Sequence, residues 1–213
     1  MTAHAMSVNV EAIKNLKKGK TPFGIAKLGH VVLNCRDVEA SARFYTEILG
    51  FEISDVYPDS MVPGGMVFMR FNEDHHGVGL VGSMTDASPN AELNHMAFEV
   101  DTLDEVIAAR NHLRRYGVAV DFEGRRRAGV QIAVEFRDPD GHRLEIYWGL
   151  DRVGVDGYVR PPSEWKLALS LKQAVADPVV GQDTSLKNPA ALDEAMPENP
   201  VRDNPGTSRW GKT

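Results

Sequence analysis

Between residues 27 and 150 the apolar positions switch between two periods. The run His30-Val31-Val32-Leu33-Asn34-Cys35-Arg36-Asp37 reads as a strand, and apolar residues at helical spacing then extend from Val38 to Leu49. Gly50 follows the last periodic residue, a common helix stop. Three short strands are predicted near 51–57, 65–71 and 77–81. The same order then recurs. His95-Met96-Ala97-Phe98-Glu99-Val100-Asp101-Thr102 opens it, a helix is predicted from Leu103 to Tyr116 with Gly117 as its stop, and strands follow near 119–122, 130–137 and 143–147. Asp138-Pro139-Asp140-Gly141 supplies a tight turn before the last strand. The chain thus writes strand, helix, strand, strand, strand twice, and His30 and His95 lie 65 residues apart at equivalent positions.

The flanks differ. Residues 1–26 are polar and basic, and Val10, Ile13 and Leu16 predict a short helix before Pro22. Residues 151–213 hold seven of the twelve prolines. There the pattern predicts one helix from about Ser163 to Ala176, with Ser163 as its N-cap, and extended chain elsewhere. The expected organisation is an N-terminal extension (1–26), one domain (27–150, modules about 27–85 and 92–150) and a proline-rich C-terminal extension (151–213).

Composition narrows the function classes. With 213 residues, 42% hydrophobic and 25% charged, the chain is long and apolar enough for a globular core. Its net charge of -6 argues against nucleic acid or an anionic membrane as the main partner. Cys35 is the sole cysteine, so neither an intrachain disulfide nor a four-thiolate zinc site can form. No run approaches the roughly 20 apolar residues of a membrane helix, and the first twenty residues lack a secretory apolar segment. The expectation is a soluble cytoplasmic protein. The long tail and its amphipathic stretch add the expectation of a homo-oligomer.

The candidate chemistry rests on the repeat. A lone strand histidine is usually structural, but His30 and His95 occupy matching positions and converge if the two copies pair about a pseudo-twofold axis. Glu145 lies in the apolar final strand Leu144-Glu145-Ile146-Tyr147, where an unpaired charge is costly. Two imidazoles and a carboxylate suit Fe(II), with Mn(II) and Zn(II) as alternatives. A constant offset of 65 makes Leu80 the first-copy counterpart of Glu145, so the fourth symmetric ligand is apolar and metal positions stay open. Even spacing on a strand places His76 on the face of Leu80, near the metal and suited to acid–base work. His75 is expected to face away, at the surface. Cys35 is expected to pack beneath a helix, opposite His30. His4, His112 and His142 have no supporting pattern, and His142 falls in the turn.

Four segments carry a family resemblance: Gly29-His30-Val31-Val32-Leu33, Asp74-His75-His76-Gly77-Val78-Gly79-Leu80, Leu93-Asn94-His95-Met96-Ala97-Phe98, and Asp138-Pro139-Asp140-Gly141 leading into Leu144-Glu145-Ile146-Tyr147. Over about residues 27–150 the chain resembles the vicinal oxygen chelate superfamily, and within it the type I extradiol ring-cleavage dioxygenases related to the biphenyl-diol enzymes. The resemblance implies an α+β fold of paired βαβββ modules, forming a curved mixed sheet around a metal site. It also implies His30, His95 and Glu145 as Fe(II) ligands and His76 as the active-site histidine. The substrate would be a small aromatic vicinal diol, cleaved with O₂. Val78, Leu80, Phe68 and Tyr147 are candidates for lining its site.

The sequence departs from that family at two positions. The family pattern has a second histidine where this chain reads Gly124-Arg125-Arg126-Arg127-Ala128-Gly129, and a tyrosine where it has Glu135. Arg126 (or Arg127) and Glu135 therefore stand where the diol-binding groups are expected. They are either a salt bridge at a strand edge or the readers of a different, anionic substrate. Two alternatives to the dioxygenase remain. One is a redox-neutral metal enzyme of isomerase, epimerase or lyase type with Glu135 as base. The other is a non-enzymatic ligand-sequestering protein.

Overall fold

The computed structural model describes residues 9–17, 27–86, 93–127, 129–152 and 158–195. Two four-stranded mixed sheets carry the two copies. In the first, β1 (Val31–Asn34), β2 (Glu52–Tyr57), β3 (Met66–Arg70) and β4 (Val78–Val81) lie in the order β1-β4-β3-β2. In the second, β5 (Met96–Glu99), β6 (Val120–Arg125), β7 (Ile132–Arg137) and β8 (Arg143–Trp148) lie in the order β5-β8-β7-β6. In both, the first strand runs parallel to the fourth, and the connection between them includes a helix.

Local chemistry sets the helix ends. α1 (Val10–Lys14) is short, as its spacing predicts, and buries no residue. α2 (Val38–Arg43) starts at Asp37, whose side chain accepts from Ala40 N, and continues as a π-helical segment Phe44–Ile48. α3 (Leu103–Arg115) starts with a reciprocal Thr102–Glu105 capping box. Gly50 and Gly117 adopt φ of 72° and 71°, left-handed conformations that end both helices.

Strand register corrects one part of the sequence reading. Leu33 pairs with Leu80, whereas Ala97 pairs with Glu145. The residue aligned with Ala97 in the first copy is Val32, and its partner is Gly79. From Ala97 to Glu145 is 48 positions and from Val32 to Gly79 is 47, so the second copy has one more residue between its first and fourth strands. The counterpart of Glu145 is therefore Gly79, not Leu80. A one-residue slip moves a strand side chain to the other face. Leu80 and Val78, at 0% and 1% exposure, belong to the core with Leu33, Met69 and Tyr45; Val78 also borders the cleft between the modules, and Leu80 does not. Cys35 is also buried, and burial raises its thiol far above the ordinary range.

Contacts between the modules centre on the Asp138–Gly141 turn. Asp140 accepts from Arg36 N and Nε at 3.0 and 3.1 Å and from Ser41 Oγ at 2.6 Å. Asp138 accepts from Tyr45 OH at 3.1 Å and pairs with His142 Nδ1 at 2.9 Å. Phe44 lies near Phe136, and Phe98 stands edge-on to Phe51 and Phe71 at 5.5 Å each. His112 bonds the Ile48 carbonyl at 3.1 Å.

The tail folds onto the second module. The predicted helix over 163–176 is corrected: a 3-10 turn at Pro162–Glu164 precedes an extended segment, and α4 covers Leu171–Ala176 with Ser170 as its N-cap. The chain stays extended because Ala168 bridges the β6 edge, exchanging backbone hydrogen bonds with Arg125 at 2.9 and 3.1 Å. Covering an edge strand also protects it from pairing elsewhere. The buried Arg125 guanidinium bonds the carbonyls of Ala174 and Asp177, and Arg110 and Asn111 of α3 bond the Ala191 carbonyl.

The turn yields a pH-dependent stability. Burial works against charge on His142, but the hydrogen bond to Asp138, with the Asp138 and Asp140 carboxylates, outweighs it and raises the imidazole above its ordinary value. That stabilisation is complete below the unfolded pKa, about 6.5, and fades as pH rises through the higher native value. Urea unfolding of His142→Gln is expected to lose this dependence. Tyr45→Phe is expected to cost roughly 1–3 kcal/mol by orphaning part of a buried carboxylate.

Candidate metal centre

Each sheet carries chemistry on the face turned away from its helix. On the second sheet, Ala97, Glu145, Glu135 and Phe122 stand in one row across β5, β8, β7 and β6. His95 immediately precedes β5 on the parity of Ala97. Its Nε2 lies 3.5 Å from Glu145 Oε2, and its Nδ1 contacts Asn94 Oδ1 at 2.8 Å. Glu145 is only 2% exposed, and its Oε1 has no hydrogen-bond partner. Burial raises the Glu145 carboxyl above the ordinary range. His95, Gln131 and Arg126 oppose that shift, while Glu135 reinforces it.

Arg126 and Glu135 meet on this face. Arg126 Nε donates to Glu135 Oε1 at 2.8 Å, and the guanidinium stacks 3.7 Å above the Phe122 ring. Glu135 pairs across the strands with Glu145, so this ion pair lies on the same sheet face as the buried carboxylate. Tyr147, two residues beyond Glu145, shares its face, and burial raises its phenol, with Glu99 and Glu145 adding. Gln131 is a neighbour the sequence reading missed. Its Oε1 is buried and unpartnered, and alternation along β7 was the one signal for it.

On the first sheet the corresponding row is Val32, Gly79, Phe68 and Asp55. A Cβ on Gly79 would lie 3.3 Å from Val32 and 3.5 Å from Phe68, so this position leaves room for no ligand side chain without rearrangement. His30 and His76 stack at 4.5 Å between ring centroids, and His76 lies 4.6 Å from Phe68. His76 reaches this cluster from the bend before β4, not through strand alternation with Leu80. His75 is exposed, as expected, but it does not face away from His76. Its side chain joins the cluster, contacting His76 Nδ1 and Asp55 Oδ2 at 2.9 Å each, because alternation does not govern a bend. Partial burial lowers the His76 imidazole, and the charges of His30 and His75 add to the effect.

A cleft of about 1240 Å³ lies between the modules, lined by Val31, Phe51, Phe71, Phe98 and Leu113, among others. His30, His95 and Tyr147 all border it. Among the described residues no three His, Cys, Asp or Glu side chains come together around one point suited to an ion. The fold thus pairs His95 with Glu145 and His30 with His76, but does not unite the pairs within one chain. The donor set nevertheless fits a divalent cation: Glu145 is a buried carboxylate with an orphaned oxygen, next to an exposed imidazole.

Residues 27–146 match the sequence profile of the glyoxalase/bleomycin resistance protein/dioxygenase superfamily, more than half the chain. The chain belongs to that superfamily. Among curated relatives, biphenyl-2,3-diol 1,2-dioxygenase 2 of Rhodococcus globerulus is 30% identical over 124 residues, 56% of this chain and 61% of that protein. Biphenyl-2,3-diol 1,2-dioxygenase of Metapseudomonas furukawaii is 31% identical over 147 residues, 65% of this chain and 46% of that protein. The aligned part thus spans about half to three-fifths of these superfamily relatives. A glyoxylase/bleomycin resistance protein/dioxygenase domain from Frankia sp. EAN1pec shares the fold, with a TM-score of 0.51 and 24% identity over 59% of this chain and 99% of that one. No helix among the described residues is long and apolar enough to cross a membrane.

The buried carboxylate makes a stability prediction. Because its native pKa is raised, Glu145 favours the metal-free fold below the ordinary carboxyl range, and this contribution is lost as pH rises through the raised value. Glu145→Gln is expected to stabilise the metal-free protein by about 1–2 kcal/mol at pH 7.5, and, if Glu145 is a ligand, Mn(II) is expected to raise the Tm of the wild type but not of the variant. Calorimetry with and without Mn(II) checks both.

Proposed function

We propose that the chain is a divalent-metal-dependent, extradiol-type dioxygenase that cleaves a catechol-like vicinal diol with O₂. The observation that carries this reading is the orphaned, buried Glu145 carboxylate beside His95 on an open sheet face. His30, His95 and Glu145 are the residues that would hold Fe(II), with Mn(II) or Zn(II) as the other ions this donor set accepts. Fe(II), when bound there, supplies Lewis-acid activation of the diol and electron transfer to O₂. The similarity to biphenyl-diol dioxygenases supports the same reading.

The chain's own residues divide the remaining work. His76 is held through Nδ1 by His75, so Nε2 is the nitrogen that takes up and returns the substrate proton. Its lowered pKa keeps the ring neutral and ready to accept at pH 7. Arg126, braced by Glu135 and Phe122, offers a planar donor to an anionic oxygen on the substrate. Phe68, stacked beside His76, and Tyr147, at the border of the cleft, offer ring surfaces to an aromatic substrate.

A second reading follows from the same face. Glu135 stands directly opposite Glu145, within reach of a substrate atom bound there, and can act as the base of a redox-neutral isomerisation. Oxygen uptake separates the two. Anaerobically purified protein, reconstituted with Fe(II) and given catechols and biphenyl-diols, is expected to consume O₂ and form a yellow ring-fission product. His76→Ala is expected to lower kcat roughly 10²–10³-fold with metal content unchanged. Full metal loading with no O₂ uptake on any diol would exclude the dioxygenase reading and favour Glu135 as a base.

A further inference from the structure

The tail grips the open end of the hairpin that carries Glu145. The β7–β8 ladder ends at the pair Ile132 and Trp148. Just past it, the Gln182 side chain takes the place of the next rung: its Nε2 donates to the Val130 and Gly149 carbonyls at 3.2 and 3.1 Å. A Cβ on Gly149 would lie 2.9 Å from that nitrogen, so a glycine there lets the amide in. A second hold lies alongside. Arg160 Nε and Nη2 donate to the two Asp151 carboxylate oxygens at 2.8 and 3.0 Å, and Nη2 also reaches the Val180 carbonyl at 3.1 Å. Asp151 N in turn donates to the Gly129 carbonyl at 3.0 Å.

The backbone under this grip is strained. Val130, fully buried, has a φ of 51° and is the one non-glycine residue with a positive φ among the described residues. A β-branched side chain rarely adopts that conformation, and it persists only where the surroundings hold it. Val130 leads straight into Gln131, which alternation along β7 puts on the face of Ala133, Glu135 and Glu145. The Gln131 amide acts on the Glu145 carboxylate as a hydrogen-bond donor and favours its charged form. The Gln131 carbonyl accepts from Arg126 N at 3.2 Å, so the same segment also carries Arg126. Resting on the metal reading above, we infer that Gln182 is a positioning residue for the metal centre: it clamps Val130 in its left-handed turn and so holds the Gln131 amide against Glu145. The partner of a ligating carboxylate fixes its orientation and tunes its hold on the ion. The C-terminal extension thereby becomes part of the site's support, although none of it touches the metal.

Equilibrium dialysis of the full chain against Mn(II) tests the clamp. Gln182→Met keeps the volume and loses both donors. It is expected to raise the Mn(II) dissociation constant about tenfold or more, the scale for losing the partner of a metal ligand. Gln182→Asn, one methylene shorter, is expected to do the same and keeps the test open should the Met variant not fold. Gln131→Met is expected to match them. The Gln131→Met/Gln182→Met double variant is expected to bind no more weakly than Gln131→Met alone, because two changes acting through one contact do not add. Thr184→Val removes a hydrogen bond within the tail, from Thr184 Oγ1 to the Val175 carbonyl. It is expected to lower Tm and leave Mn(II) binding unchanged. Folded Gln182 variants that bind as the wild type does overturn the clamp and leave the metal reading standing. So do a Gln131→Met variant that binds as the wild type does, a double variant whose losses multiply, or a loss in Thr184→Val as large as in Gln182→Met. A wild type that takes up no Mn(II) overturns the metal reading, and the clamp with it.

Discussion

The carboxylates of Asp138 and Asp140 set the relation between the two halves of the molecule. Both are almost fully buried, and a buried charge must be paired or hydrogen-bonded. Their partners come mainly from the other module: Arg36, Ser41 and Tyr45, with His142 added locally. The turn between β7 and β8 therefore acts as a clasp. It fixes where α2 and the first sheet stand relative to the second, and so fixes which faces remain open.

Much of the fold was legible because the two modules repeat one periodic plan. Strand and helix periods, the Gly50 and Gly117 stops and the Asp-Pro-Asp-Gly turn each have a local cause, and the structure contains all of them. Register was less legible. A constant offset of 65 holds for β1 and β5 but slips by one residue at β4 and β8. That single residue turned Leu80 into the core and put Gly79, not Leu80, at the position matching Glu145. The tail misled for a similar reason. The helical pattern over 163–176 is real only in its second half, since pairing of Ala168 with the β6 edge overrides local propensity.

The candidate centre shows the same division. His30, His95, Glu145 and His76 were marked by sequence position alone, and the structure puts each near one of the others. Arg126 and Glu135 were marked as departures from a resemblance, with a bland salt bridge as the competing reading. The salt bridge forms, with Arg126 stacked on Phe122 and Glu135 directly opposite Glu145, so it shares a face with the buried carboxylate. Gln131 had only the alternation of β7 to point to it, and Asp55 had no signal, because its contact with His75 comes from a bend. His75 lies at the surface as expected, but its ring turns toward His76 because alternation does not extend past the end of a strand.

The central claim is that His30, His95 and Glu145 hold one divalent ion. Pulsed electron paramagnetic resonance of the Mn(II)-loaded protein tests it most directly, by counting imidazole nitrogens on the ion. The account predicts two histidine nitrogens in the wild type and one in His30→Ala, with the remaining signal lost in His95→Ala. A wild-type ion with no histidine nitrogen, or a count that His30→Ala leaves at two, would contradict it.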